Sequence, residues 1–138
     1  MRLRIAEEQV GHLLRRAHQR ATAIFLERIG DSRVTPTQFA ALVRLYEEGE
    51  LSQNHLGRLT AMDPATIQGV IRRLAERRLI LRRRDPTDRR RTLLRLTDEG
   101  ERAVAALIPN GPGVSAATLA PLSEREREDF LALLRRLT

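Results

Sequence analysis

The sequence predicts a mainly α-helical fold that carries one small β-hairpin. Three observations lead there. Apolar residues recur at helical spacing in six stretches, most of them opened by a capping residue. The period switches to two over 79–84 and 91–96. Between those two stretches lies Asp85-Pro86-Thr87-Asp88, which is turn chemistry.

A first helix is expected from Glu7 to Ile29, with Val10, Leu13, Leu14, Ala17, Ala21, Ile24 and Phe25 on one side, and Gly30-Asp31-Ser32 as its stop. Thr35-Pro36-Thr37-Gln38 opens a second helix: Thr35 caps, Pro36 takes the first helical position, and Gln38 completes a capping box. Phe39, Leu42, Val43 and Tyr46 line its face and Gly49 ends it. Ser52 caps a short third helix holding Leu56 and Leu59 and ending near Thr60. After Ala61-Met62, Asp63 caps a fourth helix that Pro64 opens, with Ile67, Val70, Ile71 and Leu74 as its apolar stripe.

At ~100° per residue, Ala65, Gln68, Gly69 and Arg72 fall opposite that stripe. Ala65 and Gly69 are small enough for a groove wall to approach closely, and Gln68 and Arg72 have the geometry to read adenine and guanine edges. Gly69 in mid-helix costs ~1 kcal/mol relative to Ala, and close approach is one reason to keep it; an ordinary exposed face holding one poor residue is the other reading. The strands 79–84 and 91–96 follow, with Arg82, Arg83, Arg84, Arg89, Arg90 and Arg91 near the hairpin tip and Asp88 two residues before Arg90, placed to pair with it. Thr97 caps a fifth helix with Ala103, Val104, Leu107 and Ile108 inside; Pro109-Asn110-Gly111-Pro112-Gly113 is expected to break or kink the chain; Ser123 and Glu126 form a second capping box before Phe130, Leu133, Leu134 and Leu137. The stripes of the terminal helices hold more apolar surface than so small a core needs.

The 138 residues suit a single domain with a real core. No run of ~18 apolar residues exists, so no membrane span is expected. Met1 to Glu8 is charged and lacks an apolar stretch, so no secretory signal is expected and a cytoplasmic location is the default. The absence of cysteine excludes disulfides, thiol redox sensing and cysteine-bound zinc. His12, His18 and His55 have no metal-ligand spacing, Ser52 is better explained as a cap than as a nucleophile, and no glycine-rich phosphate loop is present; no enzyme, cofactor or metal is expected.

Charge points to the partner. The formal net charge is +7, the pI is near 11.4, and every basic side chain is Arg. Between Arg72 and Arg95 eleven arginines face only Glu76, Asp85 and Asp88, a net of +8, so the rest of the chain is close to neutral. Such a concentrated patch is the footprint of a polyanion, and a phosphate backbone or a narrow minor groove would offset the self-repulsion of the hairpin.

Helix, helix, short helix, basic helix, basic hairpin, helix is the order of a winged helix-turn-helix. The details resemble the multiple antibiotic resistance regulator (MarR) family: Thr35-x-x-Gln38, Leu56-Gly57 where the family has Leu-Ala, Asp63-Pro64-Ala65-Thr66 through Leu74, Arg78-Leu79-Ile80 where it has Gly-Leu-Val or Gly-Leu-Ile, then Asp88-x-Arg90, five residues, Leu96-Thr97 and Asp98-Glu99-Gly100. The likeness spans roughly residues 7–137. It implies a homodimeric, sequence-specific regulator of transcription, by default a repressor, bound to a pseudo-palindromic operator in double-stranded DNA.

It further implies a DNA-binding lobe over about 33–97 and dimerisation helices over about 5–30 and 98–138, within a single domain over 1–138. The fourth helix would enter the major groove through Ala65, Thr66, Gln68, Arg72 and Arg73; Thr66 is a phosphate contact or only part of the helix start. The wing would reach the minor groove through Arg90, supported by Asp88, with Arg82, Arg84, Arg89 and Arg91 beside it. Arg78 in place of Gly leaves the local backbone open, and the Pro109–Gly113 break leaves the dimer geometry open.

The stretches 14–25 and 52–63 are similar to members controlling aromatic-acid catabolism. Arg16 and Arg20 flank the first apolar stripe and His18 its other edge. A guanidinium beside apolar walls suits a small aromatic carboxylate or its coenzyme A thioester, although surface pairing with acids accounts for the same residues. The competing function is a ligand-independent architectural nucleic-acid-binding protein, which equal affinity for cognate and random duplex would favour.

Overall fold

The computed structural model describes residues 5–138; Met1–Arg4, part of the charged opening read above, lie outside them. The order is α1 (Ile5–Glu8), α2 (Val10–Arg28), α3 (Pro36–Glu48), β1 (Leu51–Ser52), α4 (Gln53–Leu59), α5 (Pro64–Glu76), β2 (Ile80–Arg84), β3 (Thr92–Leu96), α6 (Asp98–Leu107), a 3-10 turn (Ile108–Asn110), α7 (Gly111–Thr118) and α8 (Glu124–Arg136). Among the described residues no helix is long and apolar enough to cross a membrane.

Each expected cap is made. Thr35 Oγ1 accepts from Gln38 N at 3.2 Å while Gln38 Oε1 accepts from Thr35 N; Ser52 accepts from His55 N, Asp63 from Thr66 N at 2.8 Å, and Thr97 from Gly100 N. Ser123 and Glu126 close the last capping box. These satisfy backbone donors that helix starts leave orphaned.

Two elements depart from expectation. The first helix is split at Gln9, whose extended backbone (φ −70°, ψ 128°) separates α1 from α2. The sheet has three strands in the order β1-β3-β2, because Leu51 and Ser52 pair antiparallel with Leu94 and Leu93. The Pro109–Gly113 stretch, expected to break or kink the chain, interrupts the helix with a 3-10 turn before α7 begins; Pro109 and Pro112 both stand in first-turn positions, where their missing N–H costs no helical bond.

Two cores hold the chain together. The larger joins α3, α4, α5, the sheet and α6 through Ala41, Leu42, Leu45, Leu56, Ile67, Val70, Ile71, Leu74, Leu79, Ile80, Leu94 and Val104. The smaller gathers Phe25, Ile29, Val34 and Leu107 where α2 meets the lobe, with Phe25 and Phe39 rings tilted at 5.5 Å. The junction is fastened by Asn110 Nδ2 donating to Ile29 O at 2.8 Å, and by Arg77 at the end of α5 donating to Asp31 Oδ2 at 3.1 Å.

Two local features explain sequence choices at the entry and exit of the hairpin. Arg78 adopts φ +59°, a left-handed conformation that favours glycine, so the backbone there keeps the turn that Gly supports in the family despite the larger residue. At the start of α6, a Cβ on Gly100 would sit on the Leu79 carbonyl oxygen, and Thr97 N and Oγ1 bond the carbonyls of Leu79 and Arg78 at 3.0 and 2.7 Å. Only glycine allows α6 to pack this closely against the strand entry.

Not all apolar stripes are covered. Val10, Leu13 and Leu14 on α2, and Phe130, Leu131, Leu133 and Leu137 at α8, remain exposed, at 36–69%. These are the terminal-helix surfaces that the sequence marks as surplus.

Candidate nucleic-acid interface

The face of α5 turned from the core is set by its stripe. Ile67, Val70, Ile71 and Leu74 are at most 3% exposed, each contributing about 1.5–3 kcal/mol by burial. That anchoring leaves Ala65, Thr66, Gln68, Arg72 and Arg73 exposed and Gly69 half-buried. Thr66 is committed to the helix start: its hydroxyl donates to Asp63 Oδ2 at 3.0 Å as its N–H donates to Oδ1, and these bonds, the backbone one first, hold the Asp63 carboxyl below its ordinary value. The nearest group to a Cβ on Gly69 would be Arg73 Nη1 at 3.5 Å, an ordinary contact, so packing within the chain does not demand glycine there.

Strand parity sorts the wing arginines. Ile80, Arg82 and Arg84 pair with Leu96, Leu94 and Thr92, so Arg82 and Arg84 extend the row that begins in the core. Arg83 lies on the opposite face, where Glu50 takes it in a bidentate pair, Nη2 to Oε1 at 2.7 Å and Nε to Oε2 at 2.9 Å. Those bonds hold the Glu50 carboxyl below its ordinary value. Arg83 is therefore a brace between β2 and the α3–β1 loop. Glu50 was missed in the sequence; its signal was parity, because β1 pairing puts Leu51 on the core face and Glu50 on the outer one.

The tip is built around two aspartates. Asp85 is buried, accepts from the backbone N–H and hydroxyl of Thr87 at 2.9 and 2.7 Å, and lies 3.6 Å from Arg91 Nη1. The Thr87 N–H first, then its hydroxyl, and the Arg91 charge after burial's opposing effect, hold the Asp85 carboxyl below its ordinary value. The sequence reads Asp85 only as turn chemistry; its grip on Arg91 comes from the fold. Asp88 Oδ1 accepts from Arg90 N at 3.0 Å and Nε at 3.3 Å, the pairing expected from their spacing. Arg90 remains 92% exposed, with its guanidinium steered rather than sequestered. Arg89 is exposed beside it.

A second feature lies away from this surface. A cavity of about 400 Å³ opens between α2, α7 and α8, lined by His18, Thr22, Phe25, Pro36, Val114 and Phe130 among others. Of the three side chains expected to meet a ligand, His18 lines it. Arg20 is not in the lining; it donates to the carbonyls of Thr118, a lining residue, at 2.6 Å and of Ala117 at 3.2 Å and so caps α7. Arg16 is exposed on α2 and does not line it. Among the described residues no group of three or more His, Cys, Asp or Glu side chains gathers to hold a metal.

A three-helix lobe with a small sheet, an exposed basic helix face and an aspartate-braced arginine finger defines a winged helix DNA-binding protein. The MarR family profile matches residues 34–92. The chain is 42% identical over 130 residues to the HTH-type transcriptional repressor NicR of Pseudomonas putida, an alignment covering 94% of this chain and 82% of NicR. Its fold superposes on a probable transcriptional regulator from Pseudomonas aeruginosa with TM-score 0.90 and 48% identity, covering 96% and 98% of the two chains. It also superposes on Bordetella bronchiseptica BpsR, whose DNA binding is regulated by 6-hydroxynicotinic acid, with TM-score 0.85 and 42% identity over 94% and 98%. The chain belongs to the MarR family of transcriptional regulators.

Proposed function

We propose that the chain is a homodimeric repressor that binds a pseudo-palindromic operator and is released by a small aromatic carboxylate. The lobe over about 33–97 carries the DNA contacts, and the helices over about 5–30 and 98–138 form the dimer. The exposed apolar rows on α2 and α8 support this division, because burying them requires a second copy. Two copies of α5 would then lie about one DNA turn apart, ~34 Å.

The observation that carries the DNA reading is the surplus of exposed guanidinium on one rigid frame. The face of α5 and the row Arg82, Arg84, Arg89, Arg90 and Arg91 are joined through one core, with Asp88 aiming Arg90. Ala65, Gln68, Arg72 and Arg73 enter the major groove and Arg90 the adjoining minor groove; Thr66 contributes through the helix start. The test is binding of wild type and Arg90→Ala to cognate and random duplexes by fluorescence anisotropy at several salt concentrations. The variant is expected to bind weakly, with a log–log salt slope shallower by ~0.9. Wild-type affinity in the variant refutes the wing assignment, and equal wild-type affinity for both duplexes favours the architectural reading.

The cavity supports the effector. Its volume of about 400 Å³ suits a one-ring acid, with apolar walls for the ring and His18 in the lining for the carboxylate, and with Arg20 one contact away on the Thr118 carbonyl; of a coenzyme A thioester only the acyl end would fit. Regulation of BpsR by a pyridine carboxylic acid supports the same ligand class. Benzoates, cinnamates, hydroxynicotinates and their thioesters should be screened for release of bound duplex. No change in DNA affinity across that panel removes the effector. This reading includes no catalytic role and places the protein with the chromosome, in the cytoplasm.

A further inference from the structure

If α5 occupies a major groove and the β2–β3 tip the adjoining minor groove, one sugar-phosphate strand separates them. That strand has to cross the protein surface between the two elements. Beside the hairpin, where β1 runs into α4, is a polar cleft of about 160 Å³ lined by Ser52, Gln53, Asn54, Arg90, Arg91 and Thr92, a place for that strand to pass. It brings the hairpin against the helix-capping Ser52 and against Gln53 and Asn54 of α4, which the roles assigned above leave unused. Arg91 lies 3.6 Å from the Asp85 carboxylate yet is half exposed, so its guanidinium is drawn to one side with its donors available. Asn54 is exposed on the opposite wall. Two guanidinium groups facing neutral amide and hydroxyl groups, with no carboxylate in the lining, form an environment that favours an anion and disfavours a cation.

We propose that this cleft seats one phosphodiester of the DNA backbone, held by Arg91 on the wing side and by the Asn54 and Gln53 amides on the other, while the Arg90 guanidinium passes its rim into the minor groove. The seat sets the register of α5 and the wing across the strand and reads no base. The inference rests on the DNA reading above.

The test uses the full-length protein with Asn54→Ala and Asn54→Asp, melting temperature as the fold control, and a cognate duplex in which phosphates between the two grooves are replaced singly by neutral methylphosphonate. Asn54→Asp puts a carboxylate beside the phosphate and is expected to weaken cognate and random duplexes by the same factor, about tenfold or more. Asn54→Ala is expected to lose several-fold on both with its salt slope unchanged, because the amide carries no charge. One methylphosphonate position should weaken wild type and cost Asn54→Ala clearly less. Wild-type affinity in Asn54→Asp, or the same methylphosphonate cost in both proteins, overturns the seat. A free-anion site is the alternative source of the same chemistry: inorganic phosphate that perturbs the Asn54 amide in NMR spectra and competes with duplex at equal ionic strength would overturn the backbone assignment. If Arg90→Ala loses binding while Asn54→Asp does not, the DNA reading stands and the seat falls. If neither loses binding, the DNA reading fails with it.

Discussion

Replacing Gly69 by alanine should stabilise the protein and weaken its hold on DNA. Mid-helix glycine costs about 0.8–1.0 kcal/mol relative to alanine. Nothing in the fold offsets that gain, because the added methyl would meet only Arg73 Nη1 at 3.5 Å, the mobile end of a flexible side chain. The full propensity difference is therefore expected, about 1 kcal/mol per chain, or roughly 2–4 °C in melting temperature. Melting must be compared at one protein concentration, since the proposed dimer would couple stability to it. On DNA the same methyl stands between Ala65, Gln68 and Arg72, on the face assigned to the groove. Close approach there turns a stabilising change into a steric penalty, read by anisotropy as at least a several-fold loss on cognate duplex. A variant that melts higher and binds as wild type refutes groove contact at this face. One that melts lower refutes the account of why glycine is tolerated.

Three further outcomes follow from the same structure. Gln68→Ala should relax preference at one base position by ~1–3 kcal/mol without changing affinity for random duplex, measured by competition with single-substituted duplexes. Arg78→Gly should relieve left-handed strain of ~1–2 kcal/mol, less ~0.5–1 for the freedom glycine regains on unfolding, and melt higher; Gly100→Ala, forced against the Leu79 carbonyl, should melt far lower or fail to fold. Acid should unfold the protein through Asp31 and Asp85. Both carboxyls are held below their ordinary value of 3.8 in the fold, chiefly by backbone N–H donors, so their contribution is present above that value and is lost as pH falls below it. Asp31→Asn should flatten this acid limb in denaturant titrations between pH 5 and about 3, and an unchanged limb contradicts the assignment.

Much of the fold was legible because it is local. Thr35, Ser52, Asp63, Thr97 and Ser123 cap helices through bonds spanning three residues, and the Ile67–Leu74 stripe follows from helical period alone. Asp88 and Arg90 meet for the same reason: they are two residues apart in a tight turn. Hence the exposed face of α5 and the arginine finger could be read from the chain. β1 escaped notice because two residues show no period, and α7 because its opening Gly-Pro-Gly carries a stop signal that the preceding 3-10 turn absorbs.

Only tertiary structure chose among the arginines. Arg83 and Arg84 are adjacent and chemically identical, yet strand parity gives Arg83 to Glu50, thirty-three residues away, and leaves Arg84 on the row that continues from the core. Arg20 looks like Arg16 in the sequence, but packing of α7 on α2 brings it to the Thr118 carbonyl and leaves Arg16 away from the cavity. Composition and period determine that a chain is basic, helical and turned into a finger, because those depend on neighbours along the backbone. Which charges stay free for a partner depends on neighbours brought together by folding.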